Sequence, residues 1–73
     1  MSDGLGLILV LQNLYAREIN ASIVSDWDDG FTVGLGNERD GIVASEHFEV
    51  DELPRIPEWL ERKARKIYPE AFG

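Results

Sequence analysis

Residues 19–35 read Ile-Asn-Ala-Ser-Ile-Val-Ser-Asp-Trp-Asp-Asp-Gly-Phe-Thr-Val-Gly-Leu, and this stretch decides the fold. Ile19, Ala21, Ile23, Ser25 and Trp27 share one parity, and Phe31, Val33 and Leu35 share one after the acidic Asp28-Asp29-Gly30. Alternation with period two marks strands that bury one face. A two-residue Asp29-Gly30 turn would pair Asp26 with Val33 and Asp28 with Phe31, which sets acids on the apolar face. A three-residue loop with Gly30 left-handed pairs Trp27 with Phe31, Ser25 with Val33 and Ile23 with Leu35. Like then meets like, and this register is the expected one.

Working outward, the polar loop Asn37–Gly41 leads to a third strand from Ile42 to about Val50. Ile42, Ala44, Phe48 and Val50 are expected to face the core, with Glu46 intruding, while Val43, Ser45, His47 and Glu49 face away. Upstream, Leu7, Val10, Leu11 and Leu14 fall at helical spacing with Tyr15 beside them. They predict a helix of about twelve to fifteen residues starting near Leu5, with Asp3 as its cap. Downstream, Pro57 suits the first turn of a second helix that Pro69 stops near Tyr68. Its inward stripe is Ile56, Leu60, Ala64 and Ile67; Glu58 and Glu61 lie early and Arg62, Lys63, Arg65 and Lys66 late, as the helix dipole favours.

The order α-β-β-β-α predicts an α+β two-layer sandwich, a three-stranded antiparallel meander with the N-terminal and C-terminal helices on one face. The expected core is Leu7, Leu11, Leu14, Ile23, Phe31, Val33, Leu35, Phe48, Leu60 and Ile67. At 73 residues the chain is read as one domain, 1–73, with a thin core. It has no cysteine to staple that core, which fits a reducing cytoplasm. No basic leader and no apolar run of membrane-spanning length occurs. A cytoplasmic protein is expected.

Charge narrows the partners. The formal net charge is −7, with −9 on residues 1–54 and +2 on residues 55–73. Such a surface repels phosphate backbones at long range, so nucleic acid is a poor first partner. Asp26, Asp28 and Asp29 have the look of a calcium loop, yet counting from Asp26 puts Gly30 fifth and Asn37 twelfth, where oxygen ligands belong. No metal or cofactor is expected, and the aspartates read as turn residues. The one histidine, His47, neighbours Ser45 and Glu49 on a strand face, which is a flat place for a hydrolase to hide. No enzyme is expected, and such a hydrolase is the third reading.

Three surfaces remain. Trp59 projects on the side of Lys63 and Lys66, near Arg62; it either closes the core edge under the Lys63 stem or forms with these cations a ridge for an acidic partner. On the first helix, Leu5, Ile8 and Leu9 project away from the sheet-facing stripe. They meet the final helix or form a patch for a weak homodimer. Around the glycines Gly34 and Gly36, the open face of the sheet is a third candidate.

The element order and the run Arg62-Lys63-Ala64-Arg65-Lys66 resemble double-stranded-RNA-binding domains, whose second helix meets phosphates. The likeness stops at topology: the cations sit at the end of this helix, Asp51-Glu52 precedes it, and Asn37–Gly41 lacks that family's Gly-Pro-x-His loop. Trp27-Asp28-Asp29-Gly30-Phe31, Val33-Gly34-Leu35-Gly36, Trp59-Leu60 and Tyr68-Pro69 are similar to small bacterial or phage-encoded α-β-β-β-α proteins of unknown function. That resemblance implies the fold and brings no activity. The leading expectation is a small non-enzymatic protein-interaction module, ahead of a nucleic-acid-binding domain using Arg62–Lys66.

Overall fold

The computed structural model describes residues 2–73, and the side chains of residues 6–73. Helix α1 (Ser2–Ala16) leads to strands β1 (Asn20–Ser25), β2 (Phe31–Asn37) and β3 (Gly41–Phe48), then to helix α2 (Ile56–Ile67). Short 3-10 turns occupy Trp27–Asp29, Val50–Arg55 and Pro69–Phe72. The sheet is an antiparallel meander in the order β1-β2-β3, and the α+β order is the one read from the sequence.

Asp3 lies within α1 rather than capping it. The helix ends without the usual glycine: Glu18 takes φ +63, Ile19 N–H donates to Leu14 C=O at 2.9 Å and Glu18 N–H to Tyr15 C=O at 3.0 Å. This is a Schellman motif, and its apolar pair, Leu14 and Ile19, is buried. Packing of that pair holds a glutamate where glycine is easier.

The β1–β2 register differs from the expected one by two residues. Ser25 pairs with Phe31, Ile23 with Val33 and Ala21 with Leu35. The loop therefore runs from Asp26 to Gly30, closed by Asp26 N–H to Gly30 C=O at 2.7 Å and Asp29 N–H to Asp26 C=O at 3.1 Å. A shift of two preserves parity, so the faces survive, but Trp27 leaves the strand at φ +59 and is 97% exposed. Gly30 sets the loop: at φ +104, any Cβ there would stand 2.3 Å from the Phe48 carbonyl oxygen.

The second departure is a bulge. Leu35 pairs with Ala44 but Gly36 with Ile42, leaving Val43 unpaired. Ile42 thereby swings off the core face, 67% exposed, with its side chain over Gly34 on the open face. Val50, expected to share the face of Ala44 and Phe48, is exposed in the turn after β3.

The core is Leu14, Ile19, Val33, Leu35, Phe48, Ile56, Trp59, Leu60 and Ala64. Leu7, Leu11 and Ile67 are only half-buried, as is Phe31, and Ile23 is exposed. The two strand residues border a groove of about 500 Å3 that α1 and the Val50–Arg55 turn leave open at one end of the sheet. The chain's last turn folds back: Phe72 lies between the guanidinium groups of Arg17 and Arg65, each 4.7 Å from the ring centre. Arg17 Nε also donates to Ala71 C=O at 3.1 Å, which ties this turn to α1.

Candidate interaction surface

Positions of even number on β1 and their partners on β2 and β3 form the open face of the sheet: Ser22, Val24, Thr32, Gly34, Ser45 and His47. The bulge adds Ile42 to it, and a shallow trough of about 180 Å3 lies between Ser22, Gly34, Gly36 and Ile42. Val24 and Ile42 are exposed there, as is Val43 beside the bulge. A Cβ at position 34 would stand 2.9 Å from Ser22 Oγ and 3.2 Å from Ile42 Cδ1, so glycine there leaves room for both side chains.

Past the end of β1 on the same parity stands Asp26. Its carboxylate accepts a hydrogen bond from Thr32 Oγ1 and lies 3.4 Å from His47 Nδ1. On the other side, Glu49 Oε2 is 3.4 Å from His47 Nε2. His47 thus bridges two carboxylates. Ser45 makes no hydrogen bond with it among the described residues, so the Ser45–His47–Glu49 arrangement gives way to Asp26–His47–Glu49. Among the described residues no group of three or more acidic, histidine or cysteine side chains is arranged to hold a metal. Asp26 is detectable in principle, because it continues the Ser22, Val24 parity; what the sequence leaves open is the β2–β3 register that sets Thr32 opposite His47.

Burial pulls the His47 pKa down, while a backbone hydrogen bond with Asp29 and the carboxylates of Glu49 and Asp26 push it up and prevail. The imidazolium is favoured by folding. Its share of stability is therefore present below about pH 6.5 and is lost as pH rises through the folded-state value. A titration followed by NMR of the His47 ring should give a midpoint above about 6.5, lowered by Asp26→Asn and by Glu49→Gln. A midpoint at or below the ordinary value in the parent chain refutes this.

Trp59 is buried, 7% exposed, and stands edge-on to Phe48 with ring centres 5.8 Å apart. It closes the core, so the ridge loses its aromatic member. Arg62 and Lys66 remain exposed and Lys63 half-buried on α2, with no ion pair among the described residues, whereas Arg65 is held by Glu61 at 3.3 Å. On α1, Ile8 and Leu9 are 52% and 57% exposed; the Leu5 side chain lies outside the described residues. Exposure therefore leaves Ile8 and Leu9 uncovered by α2.

Among the described residues no helix is long and apolar enough to cross a membrane. Comparison with models of known families, with curated proteins and with solved structures finds no match for this chain.

Proposed function

We propose that this chain is a small protein-interaction module that presents the open face of its sheet and the loop after β1 to a partner. The observation that carries this reading is the set of apolar side chains left in water there: Val24, Ile42 and the almost fully exposed Trp27. Covering an aliphatic side chain completely yields about 1.5–3 kcal/mol before association costs, so a few such contacts supply a specific but reversible complex. Self-association through Ile8 and Leu9 on α1 is a second reading, supported by their exposure and opposed by the charge of −7.

One cross-linking experiment tests both. A photo-reactive amino acid is placed at Val24, at Leu9 and, as a control, at the exposed Glu70 in the protein's native cell. Protein adducts are expected from position 24 and not from position 70, and self-adducts from position 9 only at high concentration. Absence of adducts from position 24 sinks the module reading. So does RNA or DNA binding that falls steeply with salt and is lost on Arg62→Glu, Lys63→Glu and Lys66→Glu together, which would favour the basic end of α2.

A further inference from the structure

The outer edge of β1 carries unpaired backbone. Asp26 N–H donates directly to Gly30 C=O in the register that pairs Ser25 with Phe31 and Val24 with Thr32. In an antiparallel ladder, directly bonded pairs recur at every second residue. Asn20, Ser22 and Val24 therefore turn their N–H and C=O groups toward β2, and Ala21, Ile23 and Ser25 turn theirs outward.

Edge strands are usually blunted by charge, proline or a bulge. The other edge, β3, has the bulge at Val43 and the polar Glu46 and His47. Asn20–Ser25 has none of these devices, in a chain with 29% charged residues. On the helix side, two hollows flank this edge. One of about 320 Å3 lies among Leu11, Tyr15 and Ala21, and the groove of about 500 Å3 lies among Leu7, Ile23 and Leu53. Ala21 and Ile23 are two residues apart and face the same way, so alternate side chains of an added strand would point toward the two hollows.

Charge selects the occupant. Glu18 stands before β1, and Asp26, Asp28 and Asp29 stand after it with Trp27 exposed among them. A second copy would bring the same acids, and a net −7, against both ends. A cationic segment would meet attraction chiefly at the Asp26–Asp29 end, where an open indole face also stands, since Glu18 shares its end with Arg17 and Arg39.

We propose that the outer edge of β1 takes an extended, cationic segment of a protein partner as a fourth strand, with aliphatic side chains at alternate positions entering the two hollows and a flanking Lys or Arg over Trp27. This rests on the interaction-module reading and names the partner's chemistry. Main-chain hydrogen bonds would supply the docking and the alternate side chains the selectivity.

The test uses the full, isotope-labelled chain and the peptide Lys-Val-Thr-Val-Thr-Val-Lys. Expected are slowed exchange of the Ala21, Ile23 and Ser25 amides on adding peptide, and loss of that protection when the peptide's alternate backbone nitrogens are methylated. The Glu-flanked analogue should bind at least ten-fold more weakly. Trp27→Ala, at a side chain the fold does not bury, should weaken the Lys-flanked peptide roughly two- to five-fold. No protection at these amides, equal binding of the Glu-flanked peptide, or indifference to Trp27→Ala overturns the proposal. So does protection that grows with protein concentration alone, which assigns the edge to a second copy. Adducts from position 24 alongside a peptide that fails would remove this inference and leave the module reading standing.

Discussion

Leu60→Ala is expected to lower the unfolding free energy by about 3–5 kcal/mol, the range for emptying a sealed leucine site. Leu60 is completely buried on α2, within the cluster that includes Leu14, Val33, Leu35, Ile56 and Ala64. These neighbours belong to both helices and to the central strand, so the space cannot collapse without moving more than one element. A domain of this size has about 4–10 kcal/mol in total. The substitution should thus leave it barely folded at room temperature. Urea unfolding would show the midpoint falling at nearly constant slope. Phe31→Ala is the control: its larger ring is only half-buried beside the open groove, and its cost should lie below that of Leu60→Ala. A Leu60→Ala cost under about 1 kcal/mol would mean that the helix layer does not seal the sheet as described.

Gly36→Ala is expected to part the β2–β3 hairpin at its bulge. An alanine Cβ would stand 1.8 Å from the Gly41 carbonyl oxygen and 2.9 Å from Ile42 Cα. Both atoms are backbone, so no rotamer change relieves the contact, and the cost should reach or pass the upper end of the ~1–3 kcal/mol typical of overpacking. Gly41 separates sterics from backbone preference. It has φ +74 but nothing within 4 Å of a built Cβ, so Gly41→Ala should cost only the left-handed strain of about 1–2 kcal/mol. Paired urea unfolding curves measure the difference. Equal losses at the two sites would show that the close approach of Gly36 to Gly41 is not what the hairpin depends on.

The candidate site was less readable from the chain than the fold, and the reason lies in single residues. Trp27 keeps the parity of the apolar positions before it, so alternation assigns it to the core. Only the loop closure from Asp26 to Gly30 puts it into solvent at φ +59. Trp59 reads as a border residue on a helical projection, and the proximity of Phe48 from another element settles its burial. His47 has its carboxylate neighbour Asp26 just past the end of β1, reached across Thr32 through the β2–β3 pairing, which local alternation does not specify.

Residue order was enough for the succession α-β-β-β-α, the antiparallel meander, the helix stopped by Pro69 and the inward stripe of α2 headed by Ile56, Leu60 and Ala64. These follow from period, proline placement and side-chain size, which act between near neighbours. Tertiary structure alone decided the two-residue register shift, the bulge that moves Ile42 to the open face, and the exchange of Ile23 and Phe31 for Ile19 and Trp59 in the core. Parity is blind to a shift of two, and a bulge reverses it without marking the local pattern. Which apolar residues are sealed depends on how far the helices reach across the sheet. Here they stop short of one end, leaving Ile23 and Phe31 beside a groove and the edge of β1 open.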